Sequence, residues 1–347
     1  MTVRFASQTE IDNWDELILA NPDGGNIVQS IELANLKSPA GWRARLVVTE
    51  CCAITIHEHT APLIGKLWYI PKGPGVQTPS DLAGLISPLR LFAQKHGVFA
   101  IKIEPEILKN DSNLSELSKM MLAPAHSIQP NSSTVVLDIS KDTTTIMAEL
   151  PQKARHAIKR AYRDGIVTKK VEPTDENFSI MISLIQQTMA DKSATIRDES
   201  YYKKFWKTYT DNKLGALFFA YQDNNPIAGA FVLTFGQKAT YKDGGSVRQK
   251  TIYGASHALQ WCVIEWLKTK GITDYDLCGT PPTIEVGNKN HPHYGIGLFK
   301  TSFKKTITEY VGAYDIVVRP FAYRIWASIG ERVICRYYAS ILNKLFY

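Results

Sequence analysis

The sequence has no apolar run long enough to cross a bilayer, no CxxC pair, and only a modest excess of basic over acidic residues. Each shortage removes a class of protein. A spanning helix needs about 20 mostly apolar residues, so no membrane-spanning segment is expected. The five cysteines (Cys51, Cys52, Cys262, Cys278, Cys335) are odd in number and lack metal-ligand spacing. That argues against zinc or any other metal and for free thiols in a reducing compartment. The opening MTVRFASQTEIDNWDELI is amphipathic and acidic, without the apolar stretch of a secretion signal, so a cytoplasmic location is expected. A net charge of +7 permits a polyanionic partner, such as nucleic acid, an anionic membrane or a phosphorylated substrate, and demands none of them.

What is present is enough for two cores: 347 residues exceed the usual single domain. Short amphipathic helices are expected over residues 10–21 and 28–36, a strand pair over 44–59, a strand over 66–76 and a helix over 81–96 stopping at Gly97. A strand follows over 98–106, and another over 133–140. A basic helical segment around 151–163 precedes helices over 175–190 and 198–210, a hairpin over 214–236, a strand over 239–247 and a helix over 253–270. Hairpin, strand, glycine turn, helix, glycine and a strand ending on a carboxylate thus occur twice, as a repeat of pattern rather than of residues. We read a mixed α/β (α+β) architecture of two similar domains, residues 1–150 and 151–317, each a mixed sheet flanked by helices, followed by a helical tail over 318–347.

The most informative stretch runs from Tyr275 to Asp315. A short strand over 275–277 leads into a polar loop carrying Gly287, His291, His293, Gly295 and Gly297, which delivers Lys300 beside Phe299. A last strand is expected over 309–312. A loop that places one lysine beside an aromatic can aim a cation into a cleft; the alternative is that Lys300 is simply solvated. The repeated order is that of the GNAT acyltransferases, whose Gly-rich turn grips the pyrophosphate of coenzyme A with backbone N–H groups. Thr251 and Tyr253 stand where those glycines are expected, so no coenzyme A and no other cofactor is expected.

Several short motifs in order carry a more specific likeness: Lys72-Gly-Pro74, Glu104-Pro-Glu106, Pro151 through Lys153 and Arg155 to Arg163-Asp-Gly165, Tyr241, Gly245-Ser246, Tyr275-Asp-Leu277, Phe299-Lys300 and Tyr310-Val-Gly312. On these the chain resembles the Fem peptidoglycan-bridge aminoacyltransferases over nearly its whole length, most closely the compact FemX type. The resemblance implies tandem GNAT-like domains, an aminoacyl-tRNA donor, and as acceptor the stem-peptide amine of a peptidoglycan precursor, either lipid II or UDP-MurNAc-pentapeptide. It implies that Lys300 supports transfer by holding positive charge near the donor ester. Phe299 either packs the terminal adenosine of tRNA or fills core. Glu104 stands where the family carries an aspartate that can accept the amine proton. Arg197 matches an arginine that grips precursor phosphate; the partner lysine position is Asn35, with Lys37 two residues on. Lys72 belongs to the same substrate-binding set. Tyr241 matches a tyrosine at the acceptor peptide, while a second tyrosine is replaced by Asp243. Lys153, Arg155, Lys159 and Arg160 are candidates for the tRNA backbone.

The tail carries Ile325, Ile329, Val333, Tyr337, Ile341 and Leu345 on a helical stripe flanked by Arg324, Arg332, Arg336 and Lys344. It either packs on the first domain or lies on the inner membrane leaflet. Two rival functions remain open from the sequence: an acyl-thioester-dependent N-acyltransferase on the same fold, and a non-catalytic RNA- or membrane-binding module.

Overall fold

A computed structural model describes residues 1–37, 41–129, 132–189, 197–247, 253–341 and 346–347. Lys344, Leu345, most of the loop before Arg197, and Thr251 of the glycine-turn position lie outside the described residues. The chain divides into two compact units, one formed by Met1–Ser132 with Glu309–Tyr347, the other by Ser133–Thr308.

In the first unit a seven-stranded sheet has the order Val3–Phe5, Arg43–Thr49, Ala53–Ala61, Gly65–Ile70, Val98–Ile103, Ala313–Val317, Ala123–Ala125. Gly65–Ile70 and Val98–Ile103 are parallel, and parallel neighbours need a crossover, here the helix Pro79–Lys95. Thr78 caps that helix by accepting from the Asp81 N–H at 3.2 Å, and Pro79 occupies its first turn, where a missing N–H costs nothing. Leu82, Leu85, Ile86, Leu89 and Ala93 recur at helical spacing and cover one sheet face, against Trp68, Ile70, Ile101 and Ile103. Leu67 and Tyr69 alternate to the other face, as a strand requires. There they meet Trp42, Phe99, Trp326 and Phe346.

The second unit repeats this plan. Its six-stranded sheet runs Val136–Asp138, Asp274–Asp276, Lys238–Ser246, Asn225–Phe235, Gly215–Gln222, Val167–Val171. The parallel pair is Lys238–Ser246 with Asp274–Asp276, and its crossover is the helix Ala255–Thr269. Between Val232↔Tyr241 and Phe231↔Asp243 the register skips Lys242, a one-residue bulge that bends the strand locally. Gly245 must lack a side chain, because a Cβ there would lie 2.4 Å from the Ile185 backbone nitrogen.

Three expectations are corrected. The unit boundaries fall at 132/133 and 308/309 rather than at 150 and 317. The physical reason is strand pairing: Val136–Asp138 bonds antiparallel to Asp274–Asp276, while Ala313–Val317 inserts antiparallel between Val98–Ile103 and Ala123–Ala125. The expected strand over 309–312 is only the two-residue Thr308–Glu309; Gly312, at φ +86°, turns the chain before the longer strand begins at Ala313. Finally, the stretch after Gly287 is ordered into the helix Tyr294–Lys300, with Gly297 packed so closely on Pro281 that a Cβ would meet its Cδ at 2.7 Å.

His57, wholly buried on the strand Ala53–Ala61, has no hydrogen-bond partner at either ring nitrogen among the described residues. Burial, with Lys37 nearby, pushes its pKa down to about 3. The unfolded chain therefore binds a proton that the fold does not, and stability is lost progressively as pH falls from about 6.5 toward 3. His57→Leu should flatten this acid limb in denaturant titrations at pH 7 and pH 4, and an unchanged difference between the two would contradict the assignment.

Candidate functional site

In the second unit the strand Asp274–Asp276 ends in a turn where Cys278 adopts φ +63° and Gly279 φ +21°. This conformation is uncommon for a residue with a side chain. It is supported by Asp276 Oδ1, which accepts from the Cys278 N–H at 2.7 Å and from the Thr134 hydroxyl. The turn aims two successive carbonyls at Lys300, whose Nζ donates to Cys278 O and, at 2.8 Å, to Gly279 O. Lys300 sits in the last turn of Tyr294–Lys300 and is only 8% exposed, so the solvated reading is corrected. Burial pushes its pKa down, with Cys278 and Asp276 acting in the opposite direction. An ammonium has three N–H donors, and the two carbonyls take two of them.

Phe299 packs edge-on against His257, centroids 5.1 Å apart, and against Phe303 at 5.5 Å; its place is at the margin of the core. Tyr241 also packs against that core, and a Cβ at Gly244 would overlap its hydroxyl. Burial raises its pKa. Asp243, in place of the expected second tyrosine, accepts from Trp206 Nε1 at 2.9 Å and so fastens the helix Glu199–Asp211 to the bulged strand. Arg197 is exposed, its guanidinium 4.4 Å from the Tyr201 ring centroid, a position from which its fork remains open to solvent.

The basic helix is Gln152–Arg163. Ala154, Ala157, Ile158 and Ala161 are buried, which leaves Lys153, Lys159 and Arg160 exposed on the other side. Arg160 also pairs with Asp164 at 3.2 Å and lies 4.7 Å from the Tyr253 ring. Arg155 departs from this group: its Nη1 donates to the Ala148 and Leu150 carbonyls at 2.5 and 2.8 Å. Those are carbonyls at the end of the preceding helix, Thr143–Glu149, which lack intrahelical partners. Arg155 is thus a joint between helices.

In the first unit Lys72 and Glu104 line an open depression together with Pro105, Ser127, Gln129 and Tyr310. Lys72, at φ +52°, directs Nζ to Glu106 Oε1 at 3.1 Å and lies 5.0 Å from the Tyr310 ring centroid. Glu104 accepts three hydrogen bonds: from the Tyr69 hydroxyl at 2.5 Å, and from the Ile128 and Gln129 N–H groups at 2.5 and 3.0 Å. Tyr69 is fully buried, and burial beside Glu104 drives its pKa well up. Lys37 lies 5.9 Å from the Tyr69 ring centroid, whereas Asn35 is exposed. The sequence reading missed Tyr69 and Gln129. Tyr69 reads as an ordinary core residue of an alternating strand, and Gln129 carries no pattern signal in a loop. Among the described residues, no group of His, Cys, Asp or Glu could hold a metal.

Comparison with known proteins places the chain in a family. The model of the FemAB family matches residues 120–221 and 212–330, together more than half of the chain. A UDP-N-acetylmuramoylpentapeptide-lysine N(6)-alanyltransferase of Weissella viridescens is 25% identical over 337 residues, covering 90% of this chain and 95% of that protein. A lipid II:glycine glycyltransferase of Staphylococcus saprophyticus is 21% identical, covering 92% and 94%. That alignment runs over 397 positions, more than this chain's length, so the relative carries insertions absent here. The crystal structure of FemX superimposes with a TM-score of 0.79 at 18% identity, covering 95% of this chain and all of that one, and has the same fold.

Proposed function

Because this chain belongs to the FemAB family, we infer that it is an aminoacyltransferase of peptidoglycan bridge formation, and we propose that its donor is aminoacyl-tRNA and its acceptor the stem-peptide amine of a muramyl-pentapeptide precursor. The acceptor nitrogen attacks the carbonyl carbon of the aminoacyl ester. A C–N bond forms, the ester C–O bond breaks, the amine gives up a proton and the tRNA hydroxyl leaves. The carbonyl oxygen carries negative charge at the transition state, so a fixed cation there lowers the barrier.

The observation that carries the reading is Lys300: a buried ammonium oriented by two backbone carbonyls, with one N–H left, among the described residues, for that oxygen. Within the first unit Glu104 is the candidate proton acceptor, its Oε2 taking the Tyr69 hydroxyl alone among the described residues. In the first unit Lys37 and Lys72, and in the second unit Arg197 and Tyr241, are the candidates for contact with the precursor, and peripheral contact with a membrane brings the protein to a lipid-linked acceptor. The experiment is transfer of a labelled aminoacyl group from charged tRNA onto either precursor.

Lys153, Lys159 and Arg160 contact the tRNA backbone in this reading. Lys153→Glu with Lys159→Glu should raise KM for aminoacyl-tRNA roughly tenfold at unchanged kcat, and lower the salt slope by about two, one per phosphate contact. An unchanged salt dependence would remove these residues from the donor site. Arg155→Ala should instead lower the melting temperature, because it strips two carbonyls of their donor.

A further inference from the structure

The tail forms one helical run, Pro320–Ile325, a π-helical turn at Trp326–Gly330 and Glu331–Ile341, roughly 30 Å long in all. One side is fastened to the rest of its unit. Trp326 is buried with its ring 5.4 Å from that of Phe99, and Tyr338 reaches His59 Nε2 at 3.1 Å. Tyr323 donates to Asp315 at 3.1 Å. The other side carries Phe321, Ile325, Ile329, Val333, Tyr337 and Ile341, all between 43% and 78% exposed. An i, i+4 repeat drifts around an α-helix of 3.6 residues per turn; the wider π turn sets the drift back and keeps these side chains on one face. The apolar stripe seen in the sequence therefore does not face the core, which the aromatic side already fills.

The charges beside this stripe have one sign. Arg324, Arg332 and Arg336 are exposed. The only acid between Pro320 and Ile341 is Glu331, and it turns inward, 3.5 Å from Lys102 Nζ and accepting from the Tyr347 hydroxyl at 2.5 Å. No helix among the described residues is long and apolar enough to cross a membrane.

We propose that the stripe Phe321–Ile341 lies in the surface of an anionic lipid bilayer, apolar side chains among the acyl chains and the three arginines at the headgroups. An amphipathic helix of this charge pattern binds in the interface plane by buried apolar area plus attraction to anionic lipid. This names the surface for the membrane contact proposed above and deepens the lipid-linked acceptor reading on which its use rests, although the binding itself is measured without substrate.

The full chain is tested by flotation with vesicles of phosphatidylglycerol and phosphatidylcholine in equal parts, and with phosphatidylcholine alone. The wild type should float with the anionic vesicles. Ile329→Glu with Val333→Glu should lower the partition coefficient at least tenfold. Arg324→Gln with Arg332→Gln and Arg336→Gln should lower it roughly 100-fold at low salt, about fivefold per arginine. All changed residues are exposed, and circular dichroism melts confirm that the variants fold. Absence of flotation, equal binding to both vesicle types, or unchanged binding by the Ile329/Val333 variant overturns the proposal. So does a dimer in light scattering that this variant dissociates without any vesicle binding, which assigns the stripe to a second copy. Transfer assays separate the two readings. If the Ile329/Val333 variant loses transfer to vesicle-borne lipid-linked precursor but keeps transfer to UDP-linked precursor, both stand. If vesicles bind but neither precursor is labelled, only the function reading falls.

Discussion

Lys300→Met is expected to lower the rate of aminoacyl transfer by about 10²–10³-fold, the usual effect of removing one donor from a developing oxyanion. Methionine keeps an unbranched apolar stem in the buried slot and removes only the ammonium. The carbonyls of Cys278 and Gly279 lose the Lys300 donor, so the melting temperature falls while the variant remains folded. A strut role and a catalytic role therefore diverge: a strut lowers activity only in proportion to the unfolded fraction. Lys300→Arg restores charge but not shape, since a planar fork does not fit between two adjacent carbonyls as a compact ammonium does. It should recover only part of the rate.

The pH profile gives a second readout. Burial lowers the Lys300 pKa below the ordinary lysine value of 10.5, and the protonated form is the active one. Single-turnover transfer by the wild type should decline as pH rises through that lowered value, and Lys300→Met should lack this limb. In the window between the lowered value and 10.5 the unfolded chain holds the extra proton, so folding stability rises with pH while activity falls. Opposite trends in one pH range rule out unfolding as the cause.

Glu104→Gln is the second large effect, an expected loss of about 10²–10⁴-fold in kcat with a smaller fall in melting temperature than Glu104→Ala. The geometry makes glutamine informative. Its carbonyl oxygen can accept from both Ile128 N–H and Gln129 N–H, while its amide donates to the Tyr69 hydroxyl oxygen. The anchoring of Ile128 and Gln129 is thus preserved; what is lost is the capacity to accept a proton, and with it the acceptor of the Tyr69 hydroxyl proton. Glu104→Ala, by contrast, leaves two backbone N–H groups and a buried phenol unsatisfied and should lower both stability and rate. Full activity in Glu104→Gln would leave this residue as an anchor of the pocket wall and no more.

The doubled plan of hairpin, crossover helix and parallel strand was legible because each element announces itself locally: alternation in residues 214–236, helical spacing from Leu82 to Ala93, glycines at 97 and 271 that stop helices in left-handed turns. The ownership of Ala313–Val317 was not legible. Its pairing with Val98–Ile103 joins residues more than 200 positions apart, and no local pattern encodes a partner at that distance. Val3–Phe5 and Ala123–Ala125 are too short for a period of two to register. The tail packs on the first unit, one of the two expectations for it, but which face it buries was not legible. Ile325, Ile329 and Val333 are the more apolar set, yet the buried face uses Trp326, Tyr338 and Phe346, whose rings fill the space beside Trp42 and Phe99. At the candidate site, Lys300 and Glu104 were visible through motif order. That Lys300 is locked by two carbonyls depends on the backbone turn at Cys278, which no side-chain pattern specifies. Arg155 stood in a basic run like its neighbours, and only the geometry of the preceding helix end separates it from them.

The most direct test of the account is transfer of radiolabelled amino acid from a charged total-tRNA pool onto purified lipid-linked and UDP-linked muramyl-pentapeptide, with and without RNase. The account expects label on at least one precursor, abolished by RNase and reduced at least 100-fold by Lys300→Met. No label on either precursor from any charged tRNA, with protection of the folded protein by coenzyme A against heat, would contradict it and identify an acyl-thioester-dependent transferase on the same fold.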